Sequence, residues 1–214
     1  MAATVWSNVT VEVQSALATA VAISAISKAD PGVVEHAGAD PTSGGFVVFP
    51  DLGGMFQMRD RVARVANLGS PSSFEAEGID TSAYGTFSAG NFQEITFGTT
   101  LATATDVNAS GGEPRFADAT TIHDQQVVEI PTVVEPFEVS FDNIFDVADT
   151  ALIALNAISD VQDKAAVRIT FSNGNIVVFY GYVVATLIPT GSALEVVKTS
   201  VTLKATGRLT AYAS

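Results

Sequence analysis

The chain has 214 residues, no cysteine and a formal net charge of −13. That length suffices for one large core, or for a core carrying an inserted module, without covalent staples. The missing cysteine excludes disulfides and thiolate metal sites. Residues 94–163 carry thirteen acids against one base, Arg115, whereas residues 164–214 carry one acid against five bases. The commoner meaning of such acidity is a solvated surface; the sharper one is a segment that meets a basic neighbour or lines a channel. No clustered basic stripe of the kind that grips nucleic-acid phosphates is present. The N-terminus has no basic region followed by an apolar core, so no signal peptide is expected. The apolar run 16–26 is too short to span a membrane.

Residues 5–13 alternate, with Val5, Ser7, Val9, Val11 and Val13 on one side and Trp6, Asn8, Thr10 and Glu12 on the other. That pattern predicts a half-buried strand. Residues 16–26 are read as a second strand, stopped by Lys28-Ala-Asp-Pro-Gly32. Residues 27–94 read as an inserted small β module. Val33-Val-Glu-His36, Phe46-Val-Val-Phe49, the run from Arg61 and Ser73-Phe-Glu75 are its short strands. Asp51-Leu-Gly-Gly-Met-Phe-Gln-Met58 is a glycine turn with apolar anchors.

A further strand starts at Asn91. Residues 99–121 are rich in Thr, Ala, Ser, Gly and Asp and include Ser110-Gly-Gly-Glu-Pro114, which suits no strand or helix interior. They read as a long assembly loop, mobile in a lone subunit. Strands follow at 126–130 and 137–141. Asp149 is an N-cap candidate for one helix, 149–159, with Leu152, Leu155 and Ile158 on one face and Ile153 beside them.

Two β-rich runs then flank Asn173-Gly174. A two-residue type I′ turn there sets Phe171 opposite Ile176. On that register Val167, Ile169, Phe171, Ile176, Val178 and Tyr180 form a core face. Val177 and Phe179 fall on the other face, exposed unless something covers them. In the last strand Val197, Thr199, Val201 and Leu203 lie on one side, and Lys198, Ser200, Thr202 and Lys204 on the other.

Chemistry-bearing constellations are sparse. His36 and His123 belong to different segments and lack metal-ligand spacing. His123-Asp124 matches two members of a triad, but a hydrogen-bonded pair is the far commoner meaning. Ser110-Gly-Gly and Leu52-Gly-Gly-Met55 lack the lysine and context of a P-loop. The many acids form no Asp-x-Asp-x-Asp-Gly calcium loop. Arg59, Arg61 and Arg64 form the one basic cluster, either ion-pairing surface or intersubunit contact. We therefore expect no catalytic, cofactor-binding or metal residues, and no enzyme.

The order and spacing of several pieces resemble the tail tube protein of long-tailed, non-contractile phages of the lambda type. The pieces are Arg168-Ile-Thr-Phe-Ser-Asn-Gly174, Val178-Phe-Tyr-Gly-Tyr-Val183 and Val197-Lys-Thr-Ser-Val-Thr-Leu-Lys-Ala-Thr-Gly-Arg208. The Gly111-Gly-Glu113 loop, the segment Thr120-Thr-Ile-His-Asp124 and the β pair before the helix extend it. Ile26-Ser-Lys-Ala-Asp-Pro-Gly-Val-Val34, Leu52-Gly-Gly-Met55, Arg61-Val-Ala-Arg-Val65 and Ser73-Phe-Glu-Ala-Glu-Gly-Ile-Asp-Thr81 resemble small β modules recurrent in phage tail proteins. The resemblance implies a mainly β fold of two packed antiparallel sheets, a sandwich or half-barrel, flanked by one helix. Residues 1–26 and 95–214 would form that domain, with 27–94 inserted. It implies a virion protein, made in the host cytoplasm, that assembles into stacked hexameric rings. The partners would be sister copies and tail terminator, tape measure and distal tail proteins. DNA would pass through the lumen without sequence-specific binding; the chain's excess of acids, if it lines the lumen, would supply a wall that does not grip phosphates. No membrane anchor and no cofactor are implied. The alternative weighed is a virion surface module that binds carbohydrate or a receptor, for which Trp6 and four tyrosines are scarce material.

Overall fold

A computed structural model describes residues 8–69 and 71–213. Residues 5–7 of the first expected strand, Trp6 among them, lie outside the described residues. The strands are β1 (Thr10–Leu17), β2 (Val21–Ile26), β3 (Gly32–His36), β4 (Phe46–Gly53), β5 (Val62–Gly69), β6 (Ser73–Ala76), β7 (Ala89–Thr100), β8 (Ala104–Ser110), β9 (Pro114–Asp118), β10 (Glu129–Val134), β11 (Glu138–Ile144), β12 (Lys164–Thr170), β13 (Ile176–Ala185), β14 (Lys198–Ala205) and β15 (Thr210–Tyr212). One helix, α1 (Thr150–Asp160), and a 3₁₀ turn at Phe56–Met58 complete the described elements. The fold is mainly β, and every pairing is antiparallel.

Six strands close on themselves in the order β2-β3-β6-β5-β4-β7, with β7 returning to β2 through Val21–Phe92 and Ala22–Asn91. Closure leaves no edge. Alternation along β4 explains the filling. Val47 and Phe49 point into the barrel with Phe74, Phe92, Met55 and Met58, while Phe46 and Val48 point out. The expected single strand over 16–26 is in fact two. The chain leaves β1 after Leu17 and re-enters as β2 at Val21, because β1 and β2 pair with successive stretches of the same edge of β7.

The second unit is an open sheet continuing from β7 in the order β1-β12-β13-β14-β11-β8. One face holds Val11, Val13, Val167, Ile169, Phe179, Val183, Val201, Leu203, Val139 and Phe141, capped by α1 through Ala151, Leu152 and Leu155. The Asp149 carboxylate accepts from the Ala151 and Leu152 amides, which fixes where the helix starts. Ile153, expected beside the buried face, is instead about half exposed (48%).

The register expected for β12–β13 is wrong by one residue. Thr170 pairs with Ile176 and Val167 with Phe179. The Gly174 amide donates to the Phe171 carbonyl, and only Gly174 has positive φ (+83°), so the connection is a three-residue loop. A one-residue slip exchanges faces. Phe179 is therefore fully buried beside Val167, and Val177 packs against the same core. Ile176, Val178 and Tyr180 take the opposite face, which is also covered. There Phe46, Val48 and Val62 on the barrel's outer wall pack on Ala166, Val178, Tyr180 and Tyr212.

Polar bonds clasp this seam. Lys164 Nζ lies 2.9 Å from Asp60 Oδ2, Arg61 Nε donates to Thr210 Oγ1 at 3.2 Å, and the Arg64 amide donates to Tyr212 Oη at 2.7 Å. Gly207 lets the chain after β14 touch the barrel, since a Cβ there would meet the Asp60 carbonyl oxygen at 2.1 Å.

The expected loop over 99–121 is mostly structured. Its first part is β8, which pairs with β11 from Ala104–Asn143 to Ser110–Glu138. Its last part contains β9, which pairs only with β10. Strand β10 begins later than the strand expected at 126–130.

Candidate assembly surface

On its side of the sheet the barrel covers β12 and the first half of β13, and leaves Tyr182 and Val184 of β13 exposed. On the same side, β14, β11 and β8 present Lys198, Ser200, Thr202 and Lys204, then Glu138, Ser140, Asp142 and Ile144, then Asp106, Asn108 and Ser110, each exposed or half-exposed. Opposing residues on the other side, such as Val139, Leu203 and Val107, enter the α1-capped core. Period-two alternation thus makes a wall of short hydroxyl and amide side chains with three carboxylates and two ammonium groups. Strand β8 ends the sheet, and no described strand pairs with its outer edge. An open edge is a template for another chain.

Beyond β8 the chain turns at Gly111-Gly112 and runs out as β9, returning as β10. Every residue of both strands is exposed. The ribbon is tied at its root by Arg115 Nε to Glu135 Oε1 at 2.7 Å, and near its tip by the Ala119 amide to the Val128 carbonyl at 2.8 Å. Phe116, Val127, Ile130, Val133 and Val134 project from it into solvent, and Ile122 at the tip is 97% exposed. A two-stranded ribbon is marginally stable in water by itself; successive rungs Phe116–Pro131 and Ala117–Ile130 put apolar side chains on both of its faces, and such exposure has the form of an interaction surface. At the tip the Asp124 carboxylate accepts from the Thr121 amide and hydroxyl, and Asp118 accepts from the Thr120 amide. These bonds hold both carboxyl groups below the usual range, hence ionised at neutral pH.

The sequence-predicted candidates are dispersed by the fold. His36 is buried among the rings of Phe74 and Phe92, with Asp40 at 3.4 Å. His123 sits at the exposed arm tip, where Asp124 is engaged by Thr121. Arg59, Arg61 and Arg64 do not act as one patch. Arg61 bonds Tyr84 and Thr210, and Arg64 grips Glu77, whose carboxyl is held below its ordinary value by that hydrogen bond. Arg59 makes no ion pair among the described residues. Of the four tyrosines only Tyr182 is exposed, at 47%. Burial pushes Tyr180 and Tyr212 up to about 12. Among the described residues no group of three or more His, Asp or Glu is placed to hold a metal ion, and no helix is long and apolar enough to cross a membrane. The surfaces that sequence reasoning missed are the arm and the β8 part of the polar wall. The alternation of β14 signalled the wall; nothing local signalled the pairing of β8 with β11.

An uncovered polar wall, an unpaired edge and an apolar arm are features of a structural protein built to sit among neighbours. The comparisons with known proteins agree. The chain belongs to the phage tail tube protein family, whose model matches residues 53–214. A comparison with curated proteins finds no match. The protein is accordingly a structural component of the phage tail, and its place is the tail of the virion.

Proposed function

We propose that the chain is the repeating subunit of a tail tube of the long-tailed, non-contractile type. Copies join side by side into rings, six to a ring as the family resemblance implies, and rings stack into a tube through which the genome passes. The observation that carries this reading is the uncovered hydroxyl-and-amide wall of β14, β11 and β8, ending at the unpaired edge of β8. Covering the β8 edge of each copy with the next copy leaves no edge open only if the arrangement closes. The wall then faces the lumen. Its three carboxylates and two ammonium groups hold DNA phosphates weakly, which suits passage rather than capture. The β12–β13 half, with the barrel stacked on it, faces outward. In this arrangement two sheet layers pack against each other, and residues 27–94 act as an outer module on the domain formed by 1–26 and 95–214. The ends of the tube meet terminator, tape measure and distal tail proteins. Synthesis is in the host cytoplasm. The protein has no catalytic role.

A reconstruction of tubes grown from the purified chain tests this. We expect Asn108, Ser140 and Thr202 on the lumen wall and the barrel outside. A chain that stays monomeric at every concentration, or a tube with the barrel inside, overturns the proposal.

A further inference from the structure

A groove of about 1440 Å³ runs between the barrel's 3₁₀ turn, the root of the β9–β10 arm and the end of β14. It exceeds the roughly 300–1,000 Å³ typical of small-molecule sites, so its size suits a polypeptide segment. Phe56, Val134 and Tyr182 give it apolar walls, and Arg59, Lys204 and Arg208 line it with positive charge. None of these three bases has an ion-pair partner among the described residues. Glu135, on the same wall, is taken by Arg115.

We propose that this groove receives the tip of the β9–β10 arm of a second copy of the chain. The reasoning rests on the tail-tube reading but goes beyond it, because it assigns both halves of one contact. The tip offers the complementary chemistry: Ile122, Val127 and Val128 are exposed, and Asp118, Asp124 and Glu129 are acidic. A chain's own tip does not reach its own groove. The arm root is one groove wall, and the six residues from the Glu113–Glu135 bond to the Ala119–Val128 bond carry the tip roughly 20 Å away at about 3.3 Å per residue. Tip and groove are different surfaces, so the contact is heterologous and propagates from copy to copy. Acidic tip against basic groove also sets its polarity, since two grooves or two tips repel. A competing occupant is the connection between β13 and β14, where Leu194 is fully exposed beside Glu195.

The cysteine-free chain permits a clean test. Two full-length variants, Ile122→Cys and Phe56→Cys, are mixed under assembly conditions and oxidised. Both positions are exposed, so neither change threatens folding. We expect disulfide-linked dimers from the mixture, at least tenfold more than from a mixture of Leu194→Cys and Phe56→Cys. We also expect Arg59→Glu with Arg208→Glu to abolish assembly, and Asp124→Lys with Glu129→Lys on a mixed partner to restore it. Tubes that form without the Ile122–Phe56 link, or a link that forms through Leu194 instead, overturn the groove assignment while leaving the tail-tube reading intact. A link that forms in small oligomers with no tube under any condition supports the groove and overturns the tube.

Discussion

The barrel and the arm are both antiparallel β structure, yet they are stabilised in opposite ways. In the barrel every strand has two neighbours, and Phe49, Phe74 and Phe92 fill an interior that excludes water. In the arm each strand has one neighbour, and no residue of either strand is buried. Hydrogen-bonded ladders form in both, so the difference lies in apolar burial and in closed edges. Ladder formation alone contributes little net stability; a closed, filled interior contributes most of it. The barrel is therefore held by its own filled interior, and the arm has the form of a contact surface.

Four changes break or sharpen that contrast. The largest effect is expected for Phe74→Ala, which empties the barrel interior and should cost about 3–5 kcal/mol in denaturant unfolding. Next is Lys164→Met at the seam. It strands the Asp60 carboxylate, only 6% exposed and with Oδ1 already unpartnered. About 3 kcal/mol should be lost, and adding Asp60→Asn should recover most of it. Third is Tyr212→Phe, which removes the bond to the Arg64 amide and should cost about 1 kcal/mol at neutral pH. The same variant carries an alkaline signature. Tyr180 and Tyr212 have folded-state values raised from 10 to about 12, so the native state binds their protons more tightly than the unfolded chain does. Stability is then intact below pH 10 and falls as pH rises from 10 to 12. Thermal melts across that range should show a shallower decline in Tyr212→Phe. The smallest effect belongs to the arm. Ile122→Ser with Val127→Ser should leave monomer stability within about 0.5 kcal/mol, while sedimentation shows assembly lost.

What the sequence disclosed follows the same division between local and distant causes. The helix was legible because Asp149 and the Leu152–Leu155 spacing are local signals, as were the short strands around Val34, Phe46 and Phe74. The β12–β13 register was not. Asn-Gly serves a two-residue turn and a three-residue loop equally well, and the choice fell to distant packing that draws the Phe179 ring into the α1-capped core. The stretch 99–121 looked like loop because an edge strand and an exposed ribbon need few apolar residues. Only its pairing with β11 and β10, more than thirty residues away for Ala104–Asn143, reveals it as strand. Barrel closure through Val21–Phe92 depends on a partner still farther along the chain. The interior side of β14 and the polar side facing away from it were both readable, since strict alternation needs no partner to be recognised.

Strand β7 belongs to both units: its first half closes the barrel and its second half carries β1 into the open sheet. This gives a rule for anyone wishing to replace the barrel with foreign cargo. Excision between residues 27 and 94 removes Asn91 and Phe92 and leaves β2 without a mate. A graft spliced between Ile26 and Ala89 keeps the Val21–Phe92 and Ala22–Asn91 pairs as a splint, so the transplanted domain inherits a stump already aligned with the sheet.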